Sequence, residues 1–342
     1  MKLRATFLSI LTILLAGVVF ESRGQDVQFS QFYNVPMHLN PAFAGSAHQT
    51  RGTLHNRLQW PSLDATYTTS LISADTYFPE YKSGVGVMVV QDIMGGADFM
   101  STDVVLQYAY EVHINENITF RPGLQLGYVS RTVDYSGLIF PQQVDDQGQH
   151  DFGNPYGLGN RIHYVDIGSG GILYSKDFWV GASAHHMNRP NQSFTGDVAR
   201  QAIKYSFVGG YKIRLKSKQK YLAYLQSEPE RAIVPTVHYK MQGPSDQLDV
   251  GVYAMYDMVM AGVWYRGIPI KKYDSFLRNH ESVVLLGGVK FGNFSFSYSY
   301  DIVVSRLSTV NTFGAHEFNL TYVHNRQPKK RKKMKRLPCP SF

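Results

Sequence analysis

A period of two, held through segments of about 10–15 residues, limits this chain more than any other feature of its sequence. From Thr119 onward, Thr119, Arg121, Gly123, Gln125 and Gly127 are small or polar, while Phe120, Pro122, Leu124, Leu126 and Tyr128 between them are apolar. Ser295, Ser297, Ser299 and Asp301 alternate in the same way with Phe294, Phe296, Tyr298, Tyr300 and Ile302. So do Gln107, Ala109, Glu111 and His113 with Leu106, Tyr108, Tyr110, Val112 and Ile114. Glu317, Asn319 and Thr321 alternate with Phe318, Leu320 and Tyr322, and Lys204, Ser206, Lys212 and Arg214 with Tyr205, Phe207, Tyr211 and Ile213. Successive side chains of a strand point to opposite sides, so each segment carries one apolar and one polar face.

Two architectures accept such strands. A soluble sandwich turns the apolar face inward, whereas a membrane barrel turns it toward lipid and keeps a polar interior. Segment length favours the barrel, because soluble strands average about 5–6 residues and a bilayer needs about 9–11. Tyr and Phe recur near segment ends, as interfacial girdles require. Arg121, Glu111, Lys212 and Arg214 read as mid-strand charges that a dry sandwich core would not tolerate. With 18% charged residues, 23 Tyr and 20 Phe, the composition fits neither a helical soluble enzyme nor a disordered chain. The expected fold is therefore all-β: a transmembrane antiparallel outer-membrane β-barrel with an N-terminal plug or docking segment.

Fourteen strands are expected, at 50–59, 65–78, 83–93, 100–114, 118–132, 161–174, 177–187, 202–215, 232–242, 246–256, 258–268, 281–291, 294–304 and 314–324. The first two alternate poorly. An even count lets both ends of the barrel chain lie on the periplasmic side. That parity makes 115–117, 175–176, 257 and 292–293 the short periplasmic links, and 133–160, 188–201 and 269–280 long outer ones. The stretch 216–231 is the exception, being long yet assigned to the periplasm.

Outside the barrel region, residues 1–24 read as an export signal: Lys2 and Arg4, an apolar run from Ala5 to Phe20, then Ser22 and Gly24 before a cut at Gln25. Residues 25–49 form an N-terminal periplasmic or plug segment, 50–324 the transmembrane barrel and 325–342 a basic periplasmic tail. That tail holds Lys329, Lys330, Arg331, Lys332, Lys333, Lys335 and Arg336, the concentrated positive charge behind a formal net charge of +8. Such a run suits salt-sensitive partner binding, and nucleic acid is excluded by export. The single Cys, Cys339, excludes an internal disulfide and any multi-Cys metal site.

Motifs for chemistry are lacking. There is no HExxH, GxSxG or phosphate-binding glycine loop. Gly168, Ser169, Gly170 and Gly171 lie within an alternating strand, where glycine admits close backbone approach. His185 and His186, as neighbours on a strand, should face opposite sides. Asp145, Asp146, His150 and Asp151 share the longest outer loop and read as solvated. No enzyme activity, metal or cofactor is expected.

Residues 28–45 break the alternation and hold Pro36, Pro41 and Gly45 among Phe29, Phe32, Tyr33, Met37, Leu39 and Phe43. So much apolar surface must dock inside the barrel or on its periplasmic mouth. The order of several motifs resembles the PorP/SprF-like outer-membrane proteins of the type IX secretion system. They are Phe29-Ser30-Gln31-Phe32-Tyr33, Leu39-Asn40-Pro41-Ala42-Phe43-Ala44-Gly45, Arg57-x-Gln59-Trp60, Gly84-Val85-Gly86 with Gln91-Asp92-x-x-Gly95, Tyr108-Ala109-Tyr110, Gly123-Leu124-Gln125-Leu126-Gly127 and the ending Cys339-Pro340-Ser341-Phe342.

The resemblance implies a non-enzymatic outer-membrane component of that system. It would support secretion or surface anchoring of large proteins, and in some bacteria gliding motility. Implied partners are the periplasmic ring lipoprotein with its partner subunit, secreted surface-protein cargo and outer-membrane lipid. Phe29, Ser30, Gln31, Phe32, Asn40, Pro41, Phe43 and Gly45 then stand as a partner-binding motif, beside the seven tail cations. The competing expectation is a porin-like diffusion channel for small solutes; a rim-active hydrolase depending on His150 or Asp151 is a third.

Overall fold

The structure is a computed structural model that describes residues 26–63, 66–95, 99–135, 159–215, 231–274, 277–305 and 309–324, and leaves the side chains of 269–279 aside. The expected export signal, the 136–158 stretch with Asp145, Asp146, His150 and Asp151, residues 216–230 and the basic tail lie outside the described residues.

One antiparallel sheet follows chain order and closes on itself. Its strands are β1 (Thr50–Gln59), β2 (Tyr67–Phe78), β3 (Ser83–Met94), β4 (Phe99–Tyr110), β5 (Val112–His113), β6 (Thr119–Thr132), β7 (Arg161–Tyr174), β8 (Phe178–His185), β9 (Lys204–Tyr211), β10 (Ile213–Arg214), β11 (Arg231–Gln242), β12 (Ser245–Tyr256), β13 (Val259–Asp274), β14 (Leu277–Phe291), β15 (Phe294–Val303) and β16 (Ala315–His324). The short β5 continues β4 past Glu111, and β10 continues β9 past Lys212, so fourteen strands surround the axis. The ring shuts where β1 meets β16, from Thr50 opposite His324 to Gln59 opposite Ala315. Every edge is thereby paired, as a lipid environment demands.

The alternation turns as the composition required. Leu106, Leu124 and Leu126 face outward and are more than half exposed. Thr119, Arg121, Gln125, Ser295, Ser297, Ser299, Glu317, Asn319 and Thr321 face inward and are buried. Tight hairpins use left-handed residues where two-residue turns need them, with Gly292 at φ 58° and Asp257 at φ 57°. Short links at 79–82, 175–177, 257–258 and 292–293 lie at the end where β1 begins, and the long 133–160 and 186–203 connections lie at the other, which also holds the Gly243 turn. By the asymmetry of outer-membrane barrels, that short-turn end faces the periplasm.

Four expectations are corrected. Glu111 and Lys212 stand at breaks between strand segments, and Arg214 is exposed, hydrogen-bonding the Lys176 carbonyl at 2.9 Å. Only Arg121 of the four charges is a mid-strand luminal residue. The 269–280 stretch is no long outer loop, because β13 runs to Asp274 and β14 resumes at Leu277. His186 does not face away from His185: its left-handed φ of 58° turns it back toward the lumen. Finally, the interior is not uniformly polar. Ile172, Tyr174, Trp179, Val234, Tyr253, Met260 and Trp264 face inward and join one apolar cluster with residues of the N-terminal segment.

Candidate functional site

The segment before β1 lies inside the barrel. It starts near the long-loop end, where Asp26 meets His186, Lys204 and Gln242. It reaches the short-turn end at His48, beside Glu111 and Tyr77. Two prolines shape the path. Pro36 opens a one-turn helix, Pro36–Leu39, and Pro41 opens a 3₁₀ turn, Pro41–Phe43. Proline suits a first helical position because its missing N–H has no partner to lose. Asn40 caps the second turn through its side chain, which accepts the Ala42 N–H at 2.9 Å.

At the β1–β16 seam the segment meets a network of charges. Glu317 accepts the Ser30 N–H at 2.6 Å with one carboxylate oxygen and the Gln31 N–H at 2.8 Å with the other. The Ser30 hydroxyl donates to Asp301 at 2.6 Å and accepts from Arg57 and Arg266, each at 2.9 Å. Arg57 also pairs with Glu317 and Asp301, while Arg266 bonds Asp249 at 2.8 Å. All these groups are buried, so each charge depends on its neighbours.

Further along, the wall grips the main chain. Gln107 donates to the Met37 carbonyl at 2.8 Å and Ser183 to the Leu39 carbonyl at 2.9 Å. Arg121 donates to the carbonyls of Ala44, at 2.5 Å, and Ala42, at 3.3 Å. Asp75 accepts the Gly45 N–H at 2.8 Å. Asn40 reaches the wall's own backbone, donating to the Ala182 carbonyl at 2.9 Å. Two wall glycines make this approach possible: a Cβ on Gly84 would strike the Ala44 carbonyl, and one on Gly123 would strike the Ala42 main chain. Between these grips Tyr33 stacks on Trp264, centroids 5.4 Å apart at 10°, and on Tyr253, 5.4 Å at 21°.

A third group holds the long-loop end. Asp26 bonds His186 at 2.6 Å and Lys204 at 3.0 Å, and His186 turns its other nitrogen to Asp166 at 2.7 Å. Burial opposes the charge on both partners of this clasp. Lys204 and His186 nevertheless hold the Asp26 carboxyl well below the usual carboxylate range. Asp26 and Asp166 push the His186 imidazole up to about 9.

All eight residues read as a partner-binding motif, Phe29, Ser30, Gln31, Phe32, Asn40, Pro41, Phe43 and Gly45, are buried within the lumen against the barrel's own wall. A partner reaches them only if the segment leaves. Arg57, Asp249, Arg266, Asp301 and Glu317 were not singled out from sequence as a set. Their signal was present as charges on polar strand faces, but their convergence depends on register across five strands. Among the described residues, no cluster of His, Cys, Asp and Glu has the spacing to hold a metal ion.

Residues 21–322 match the family of the type IX secretion system membrane protein PorP/SprF. The chain belongs to that family. As a PorP/SprF protein it is a membrane component of the type IX secretion system, and its closed barrel is a multi-pass outer-membrane barrel. A search of curated sequences finds no match. Among solved structures, the barrel is similar to Omp33 of Acinetobacter baumannii, with 6% identity over 82% of this chain and 100% of that one and a TM-score of 0.44. It is also similar to the KdgM porin, with 11% identity over 80% of this chain and 99% of that one and a TM-score of 0.34.

Proposed function

We propose that this PorP/SprF protein is a non-enzymatic partner barrel that binds secreted surface-protein cargo at its outer loops and periplasmic ring subunits at the opposite end. The observation that carries the reading is the filled lumen. A segment anchored at both ends and along its length supports a protein-binding role over free diffusion of solutes. The seven tail cations, Lys329 to Lys333, Lys335 and Arg336 with Arg331 among them, would meet an acidic subunit in the periplasm. Each exposed pair there contributes about 1 kcal/mol or less, so the association should weaken as salt rises.

Affinity capture of the intact barrel from membranes tests the reading, with ring subunits and a secreted surface protein expected among the captured species. Deleting 329–336 should reduce recovery of the periplasmic subunits at low salt. Unchanged, salt-independent recovery would remove the tail from the account. A porin-like role makes the opposite forecast in planar bilayers, a steady open conductance from the unaltered protein.

A further inference from the structure

The resident segment is held in part by groups that read main chain. Glu317 takes two consecutive N–H groups, Asp75 takes a third, and Gln107, Ser183 and Arg121 supply donors to four carbonyls. Main-chain groups are common to every polypeptide, so this part of the wall suits a class of guest rather than one set of side chains. Side chains are read at Asp26, Ser30, Gln31, Asn34 and Asn40 and in the aromatic slot, where Phe32 and Tyr33 lie against His238, Tyr253 and Trp264.

The resident does not satisfy that slot. The Trp264 indole N–H and the Tyr33 hydroxyl are both buried, and neither has a hydrogen-bond partner among the described residues. Buried polar groups without partners oppose the packing that surrounds them. A guest presenting an acceptor at Trp264 would therefore fit better than the occupant.

From these two observations we propose that the lumen is a polypeptide-binding tunnel, and that its guest is an extended, aromatic-bearing segment of an exported protein that displaces residues 26–48. The path runs from the short-turn end to the long-loop end, the direction of export. The proposal rests on the export role above and adds the place where an exported chain would be held.

The test uses the full mature chain in detergent with Cys339→Ser. In one variant Phe32→Ala and Tyr33→Ala weaken the resident and leave every wall residue intact; Ser30→Ala serves if that variant does not fold. In the other, Asn34→Cys and Ser297→Cys lock the segment, at a pair whose side chains now meet at 2.8 Å. Two fluorescent peptides are titrated by anisotropy. The first has the sequence of residues 26–48, and the second keeps only Phe29, Phe32, Tyr33, Leu39 and Phe43, with Ala or Ser elsewhere.

Both peptides should bind the weakened barrel, the second within about a hundredfold of the first because it lacks the Asp26, Gln31, Asn34 and Asn40 contacts, and the oxidised lock should abolish both. No binding to a folded, weakened barrel overturns the proposal. So does binding that ignores the lock, and so does binding of the first peptide alone, which would make the resident a dedicated filler. Export in cells is read separately: intact peptide binding with unaffected secretion in the locked variant would sink the export role and leave the tunnel standing.

Discussion

At the scale of single residues, the decisive positions are those where the wall admits another backbone. Gly123 is paired in the ladder with Ala109 on one side and Gly170 on the other, so its strand has little room to yield. Gly123→Val should therefore expel the segment and leave the barrel intact. The expected outcome is at least about tenfold faster chymotryptic cleavage at Phe29, Phe32 or Tyr33 at unchanged barrel melting, corresponding to roughly 1.4 kcal/mol of weakened docking. Glu317→Ala is different in kind, because it breaks a buried ion pair, leaving Arg57 only Asp301 as a carboxylate partner, and removes the acceptor of two N–H groups. Unfolding in lipid should show a loss of about 3–5 kcal/mol. The clasp at Asp26 adds a pH dependence whose sign follows from both partners. His186 is raised toward 9, so its contribution is full below its ordinary value near 6.5 and is lost as pH rises through about 9. Asp26 is depressed, so its contribution is present above about 4 and disappears only in stronger acid. Docking should accordingly be firmest from about pH 4 to 6.5, and chymotryptic cleavage at Phe29, corrected for the protease's own pH profile, should accelerate progressively as pH rises through about 9.

At the scale of elements, lipid-facing and lumen-facing positions one residue apart obey opposite rules. Leu126 lies on the outer face of β6, opposite Leu106 of β4 and Ile167 of β7. Leu126→Arg should destabilise the barrel by about 2–4 kcal/mol in lipid-based unfolding if the position is near the midplane, whereas Gln125→Arg next to it faces Asp166 and should cost less. The same contrast explains how much of the fold was legible. Alternation located all fourteen strands, because a one-residue slip would have turned Leu124 and Leu126 into the lumen. β1 and β2 alternate poorly because their inward faces carry Arg51, Arg57 and Asp75 while their outward faces include Asn56 and Ser70, so polarity no longer separates the sides. The β13–β14 hairpin was read too short because Lys271, Lys272 and Asp274 look like loop, whereas strand pairing continues beyond the apolar band. The docking of 28–45 could be argued from its unpaired apolar groups. Its partners could not, since Ser30 finds Arg266 and Glu317 more than two hundred residues away.

At the scale of the whole molecule, the filled lumen forecasts electrical silence. Planar bilayers containing the unaltered protein should show no steady current, and Gly123→Val should introduce discrete openings. A steady current from the unaltered protein would return the diffusion channel to first place. The position of the charge network has one more consequence. Arg57 belongs to the first strand and Glu317 to the last, and Ser30 and Gln31 are held between them. Until those two staves meet, neither of these two ions has the other, and the leader's paired amides lack the acceptor that holds them. Swallowing the leader while the hoop zips shut should therefore speed the last seam, whereas a leader dislodged afterwards leaves Arg57 and Glu317 to clasp each other.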